Sequence, residues 1–177
     1  MNIQDVRNMY NSNMKLDYTF FWRTNCYLSN WYPSNFTVDG ITYWCTEQYM
    51  MAKKAELFGD SRIYAKIMSS DNQREIKALG RQISGFDEHI WCQNRERIVY
   101  EGNYAKFTQN DKLMNYLIKQ KDKILVEASP YDRIWGVGLS AEDNAILNPN
   151  YWQGQNLLGF VLMQVRDTIL NERGYRV

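Results

Sequence analysis

One histidine and three cysteines are all the soft metal ligands this chain offers. A histidine-rich metal site is therefore excluded, and a Ser-His-Asp relay exists only if His89 serves it. His89 itself reads as a surface or half-buried residue in the first turns of a helix. Cys26, Cys45 and Cys92 are odd in number and contain no CxxC pair, which indicates neither a disulfide framework nor a zinc cage. Net charge is almost absent, at +1. That is no basic footprint for gripping duplex nucleic acid, although a local pocket for one or two phosphates stays open. No apolar run approaches the roughly 20 residues that span a bilayer. The opening segment MNIQDVRNMY has no apolar signal core, so the expected location is cytoplasmic, without a membrane partner. No GxGxxG and no phosphate-binding GKS or GKT segment occurs.

Aromatic side chains are abundant instead. They make up 15% of 177 residues, with thirteen Tyr and six Trp, in a chain that is 45% apolar. Such a chain buries a real core, and some of its rings belong where an apolar face meets water, as in a pocket wall. Pro33, Pro130 and Pro149 all lie in loop-like stretches, and no linker or repeat divides the sequence. The expectation is a single domain over 1–177, with its core at about 18–172.

The periodicity predicts a mainly α fold with a small β element near the N-terminus. Residues 18–22 are aromatic and β-branched, and Asp39-Gly40 between alternating residues signals a two-residue hairpin. From Thr46, read as an N-cap, a helix runs to Gly59. Further helices are expected at 61–68, from about 70 to 83, at 88–107 with Ile90, Trp91, Ile98, Tyr104 and Phe107 inward, at 110–120 and at 156–172. Residues 123–128 suit a strand, and a short helix is expected at 141–147.

Four segments can carry chemistry. Glu47 opens a helix, where the dipole alone justifies a carboxylate. Its neighbours Tyr43, Trp44, Tyr49 and Met50 also make an apolar setting that can tune it as an acid or base. Lys54 follows two turns later on the same face, placed to hold a phosphate or an anionic base. The loop 129–139, SPYDRIWGVGL, presents Asp132 beside Trp135 and Gly136, either as a turn cap or as a second working carboxylate. At 151–159, Asn156 reads as the cap of the last helix, whose free amides form a natural anion site. In KALGR at 77–81, Gly80 either admits a neighbouring helix or lets substrate reach Lys77 or Arg81.

Taken in order, these segments resemble the NADAR (YbiA-like) family over about residues 18–170. The resemblance rests on LSNWYP at 28–33, DGITY at 39–43, EQYMMAKKA at 47–55, LFGD at 57–60 and KALGR at 77–81. It continues through Trp91, EGNYAKF at 101–107, the 125–139 segment and WQGQNLLG at 152–159. The resemblance implies metal-free, cofactor-free hydrolysis of a ribosyl C–N bond. Two substrate classes go with it: phosphoribosylamino-pyrimidine intermediates of riboflavin synthesis, and ADP-ribose on guanine in nucleic acid. A non-catalytic ADP-ribose or NAD reader is the third alternative. Carried over, the family glutamate falls on Glu47, its loop aspartate on Asp132, the following lysine on Lys54 and a helix tryptophan on Trp91. Substrate contacts are expected at Trp22, Arg23, Ser29, Asn30, Arg81, Trp91, Trp135, Gly136, Trp152 and Asn156. Some members carry His after the glutamate, where this chain has Gln48, so no imidazole-dependent step is expected there.

Overall fold

Polar side chains at helix starts fix much of the architecture. A computed structural model describes residues 1–174. Among them are helices α1 (Ile3–Asn11), α2 (Thr46–Leu57), α3 (Ser61–Ser69), α4 (Gln73–Gly80), α5 (Glu88–Thr108), α6 (Asp111–Ile118) and α7 (Leu157–Glu172). Four short strands accompany them: β1 (Tyr18–Phe21), β2 (Phe36–Val38), β3 (Ile41–Tyr43) and β4 (Ile124–Glu127). The mainly helical expectation holds. Asn2, Asp60, Asn72 and Asp87 cap α1, α3, α4 and α5 by accepting from first-turn amides.

The chain divides into two compact units, residues 30–113 and residues 1–29 with 114 onward. In the 30–113 unit, β2 and β3 pair antiparallel around Asp39 and Gly40, both at positive φ (51° and 77°), as the hairpin signal requires. Helix α2 is the centre of this unit and packs against α3, α4 and α5. Its first turns are buried on every side, from Thr46 to Ala52. Two glycines permit the close approach. A Cβ on Gly102 of α5 would lie 2.5 Å from the Tyr49 ring, and one on Gly80 of α4 would overlap the Met51 sulfur. Gly80 is therefore a packing glycine.

In the other unit β1 and β4 pair in parallel, Tyr18 opposite Ile124 through Phe21 opposite Glu127. Helix α7 lies on β4, and a Cβ at Gly159 would overlap the Leu125 carbonyl. Arg7 of α1 donates to the carbonyls of Pro149 and Trp152, each at 3.1 Å. Short 3-10 turns at Asn144–Leu147 and Pro149–Tyr151 replace the helix expected at 141–147.

Several expectations are corrected. Cys45, not Thr46, caps α2, its Sγ accepting from Gln48 N at 3.4 Å. Helix α4 covers only Gln73–Gly80, because Arg81 and Gln82 turn back on α4 carbonyls instead of extending it. Ile90 is 41% exposed and faces water, whereas Trp91, Ile98 and Phe107 are buried. Helix α1 was not anticipated at all.

Candidate functional site

The 30–113 unit gathers an unusual set of buried polar groups around the start of α2. Glu47 is 3% exposed, and its backbone N–H donates to the carbonyl of Asn30 at 2.9 Å. Asn30, itself buried, accepts at Oδ1 from Nδ2 of Asn103 at 3.0 Å. That same Nδ2 also donates to Val99 within α5, which sets the amide's orientation. Asn103 Oδ1 is buried and has no hydrogen-bond donor among the described residues. One turn further along α5 stands Lys106, which is 0% exposed.

Cys45 reports on how these charges lie. Burial pushes its thiol up to about 12; Glu47 acts in the same direction and Lys106 against it. A buried carboxylate and a buried ammonium thus both fall within electrostatic reach of one sulfur. The loop after Asn30 supplies rings for two cations. Lys77 Nζ lies 5.8 Å from the Trp31 ring centre, and Lys106 Nζ lies 5.8 Å from that of Tyr32. Residue-by-residue reading of the sequence singled out neither Asn103 nor Lys106. Their signal was a lysine and an asparagine on one helix face, inside a stretch whose other buried members are Gly102, Ala105 and Phe107.

The other expected residues of this unit fall nearby in sequence but serve differently. Lys54 is half-buried, and burial lowers its pKa. Its Nζ donates to the Gly80 carbonyl at 2.9 Å and lies over the rings of Phe86 (4.2 Å) and Trp91 (5.4 Å). Trp91 thus makes one wall of a lysine cage. Arg81 and His89 are exposed. Gln48 is fully engaged: Oε1 accepts from Trp44 N at 3.1 Å and Nε2 donates to the Ile67 carbonyl at 3.2 Å. It is a strut between the end of β3 and the end of α3.

In the second unit, Asp132 Oδ1 accepts from the amides of Ile134 (2.9 Å) and Trp135 (2.8 Å), closing a turn that presents a half-exposed carboxyl. Gly136 is required there, since a Cβ would stand 2.8 Å from the Glu127 carbonyl. The Arg23 guanidinium lies 4.4 Å from the centre of the Trp22 ring. Ser29 is buried in this unit. Two expected ligand contacts are structural instead. Trp152 is buried and donates from its indole to the Ile146 carbonyl at 2.8 Å. Asn156 is buried in left-handed backbone (φ 54°) and caps nothing with its side chain. Its amide bridges Glu127 N (3.0 Å) and the Leu125 carbonyl (2.9 Å), extending the β4 edge. Among the described residues, no group of three His, Cys, Asp or Glu is placed to hold a metal ion. None of the described helices is long and apolar enough to cross a membrane.

Known proteins resemble this chain in sequence and in fold. The N-glycosidase R617 of Acanthamoeba polyphaga mimivirus is 49% identical over 125 residues, 71% of this chain and 74% of that one. The riboflavin biosynthesis protein VVA0006 of Vibrio vulnificus is 28% identical over 85% of this chain, which spans only 37% of that protein. The solution structure of YbiA from E. coli superposes with a TM-score of 0.75 at 25% identity, covering 93% of this chain and 91% of YbiA. The NADAR domain matches residues 20–170, and the chain belongs to the NADAR family.

Proposed function

We propose that this chain is an N-glycosidase that hydrolyses the bond between a ribose anomeric carbon and a nitrogen. The observation that carries the reading is the burial of Glu47 together with Lys106, both within reach of the Cys45 thiol. Taking charges out of water costs several kcal/mol per ion, and a buried ion pair seldom improves stability over apolar packing. Buried charges of this kind gather at functional sites. The relative named as an N-glycosidase supports the same reaction.

The chemistry suits these groups. As the C–N bond lengthens, its electron pair departs with nitrogen, and positive charge grows on the anomeric carbon and ring oxygen. The Glu47 carboxylate on one face stabilises that charge and takes a proton from the water that adds to the carbon. The departing nitrogen gains a proton, so one water is consumed and a free ribosyl hydroxyl and a free N–H base result. Lys106 is the buried cation that offsets the negative charge growing on the leaving heterocycle. Asn103 Oδ1, a buried acceptor with no donor among the described residues, takes a ribose hydroxyl. Lys77 over Trp31 holds a phosphate.

The proposed substrates are phosphoribosylamino-pyrimidine intermediates of riboflavin synthesis, a reading supported by the relative named for that pathway. The test is incubation with such an intermediate and, separately, with ADP-ribosylated guanine in an oligonucleotide, reading released base by mass spectrometry. Cleavage of the second alone moves the substrate and keeps the reaction. Glu47→Gln, nearly isosteric and unable to ionise, is expected to lose roughly 100-fold or more in kcat. Full turnover by that variant removes Glu47 from the mechanism.

A further inference from the structure

A loop has no ladder or helix to satisfy its backbone, so the side chains that reach it decide how firmly it sits. The loop 30–32 is tied to three helices of its own unit. Asn30 accepts from Asn103 of α5 at 3.0 Å and from the Glu47 amide of α2 at 2.9 Å. Tyr32 presents its ring to Lys106 of α5, with 5.8 Å between Nζ and the ring centre. Trp31, between them, turns to α4. Its carbonyl accepts from Nε2 of Gln73 at 3.1 Å, and its ring centre lies 5.8 Å from Lys77 Nζ.

Gln73 and Lys77 are both half-buried and stand one turn apart on α4, at the i and i+4 positions that share a face. Gln73 is the first residue of that helix, where free amides call for a cap. Asn72 already supplies it, accepting from Arg74 N at 3.0 Å and Glu75 N at 3.1 Å. The Gln73 amide is therefore not needed at the helix end, and it reaches a residue 42 positions earlier in the chain. One helix face thus holds Trp31 twice, its backbone by a hydrogen bond and its ring by an ammonium.

We propose that Gln73 is a positioning residue for phosphate recognition: it fixes the Trp31 backbone, the Trp31 ring fixes the Lys77 ammonium, and Gln73 itself touches no substrate. Lys77 as the phosphate cation comes from the proposed function, and the inference rests on that reading. The Glu47 end of the loop does not depend on Gln73, because Asn30 has its own bonds to α5 and α2. Loss of Gln73 therefore acts on KM for a phosphorylated substrate and leaves kcat in place. A bond that served the fold alone would not tell a phosphorylated substrate from an unphosphorylated one.

The experiment compares the parent chain, Gln73→Leu, Lys77→Met and the double variant on a phosphoribosylamino-pyrimidine and on the same compound without its phosphate. Gln73→Leu removes the donor and is expected to raise KM for the phosphorylated compound roughly three- to tenfold, with kcat within about twofold and the unphosphorylated compound unaffected. Lys77→Met should raise the same KM by roughly tenfold or more. Gln73→Leu added to Lys77→Met should do nothing further, since it acts through the lysine. Gln73→Glu keeps the shape, cannot donate when ionised and draws Lys77 toward itself, so its effect should exceed that of leucine. It carries the comparison if circular dichroism shows the leucine variant unfolded. Ribose 5-phosphate, titrated calorimetrically, reads binding without turnover. Gln73 variants that bind it like the parent, while Lys77→Met binds it weakly, overturn the inference and leave the proposed function standing. Lys77→Met binding like the parent overturns the inference and the phosphate assignment together. Equal KM increases on both compounds, or additive losses in the double variant, also overturn it. If the parent turns over neither compound, the reaction assignment fails, and the titration still decides the role of Gln73.

Discussion

Asn103 of α5 donates to Asn30 at 3.0 Å, and Asn30 in turn accepts the backbone N–H of Glu47 at 2.9 Å. The position of the buried carboxylate is thus set from the far side of a long helix. Asn103→Leu keeps the volume and removes the donor, leaving Asn30 Oδ1 buried and unpaired. The expected cost is about 1–3 kcal/mol. For a chain of this length that corresponds to a fall in melting temperature of several degrees. Turnover should fall by more than stability explains, because Glu47 loses its anchor. A variant that melts and turns over like the parent would show the bond to be idle.

Lys106 gives a sharper test of the site's electrostatics. It is fully buried, with its Nζ 5.0 Å from the Phe107 ring centre. Lys106→Met preserves the stem and removes the charge. The expectation is a loss of roughly 100- to 1,000-fold in kcat, the scale of removing one preorganised electrostatic group. Lys106→Arg should not rescue it, since a bulkier planar group does not fit a site with no exposed surface. Steady-state kinetics on the ribosyl substrate, with circular dichroism to verify folding, decide it.

What could be read from the sequence divides along a physical line. Features fixed by a few adjacent residues were legible: the Asp39-Gly40 turn needs only φ > 0 at two positions, and α5 announces itself through Asp87 and its inward Trp91, Ile98 and Phe107. Features fixed by distant partners were not. The parallel pairing of β1 with β4 joins segments about a hundred residues apart, and alternation within a strand says nothing about its partner. Helix α1 buries only Val6, so its hydrophobic stripe was too thin to see despite the Asn2–Asp5 capping box. In the site, Glu47 stood out because a carboxylate among rings is rare. Lys106 did not, because a lysine in a helix usually faces water, and only the packing around α5 reverses that default. Asn156 and Trp152 misled for the opposite reason: polar and aromatic groups near glycines look like ligand contacts until their hydrogen bonds are found inside the protein.

The two packing glycines of the α2 bundle should respond differently to the same change. Gly→Ala in a helix gains about 1 kcal/mol of propensity. At Gly102 the added methyl meets the ring of Tyr49, which is itself fully buried and packed against Tyr43 and Phe36, so nothing yields easily. At Gly80 it meets the end of Met51, a flexible side chain. Gly102→Ala is expected to be destabilised by about 1–3 kcal/mol and Gly80→Ala to lie much closer to neutral. Urea denaturation of both variants checks the ordering, and equal midpoints would contradict it.

Acid stability should depend on Asp60. Its Oδ1 accepts from Ile63 N at 3.0 Å, and its Oδ2 accepts from the backbone N–H (2.9 Å) and hydroxyl (2.8 Å) of Ser84, tying the start of α3 to the turn after α4. These donors hold the carboxyl at about 2, below the ordinary 3.8. The sign follows from linkage: the folded state favours the ionised form, so the stabilisation is fully present above the unfolded value and drains away as pH falls through the folded one. The window is therefore from about 4 down to about 2. Asp60→Asn has no charge to lose and keeps an acceptor oxygen for either Ile63 or Ser84. It should be less stable at neutral pH and should show a flatter acid limb than the parent. Melting temperature measured against pH on both proteins tests this, and parallel curves through that window would mean that the latch contributes nothing to acid unfolding.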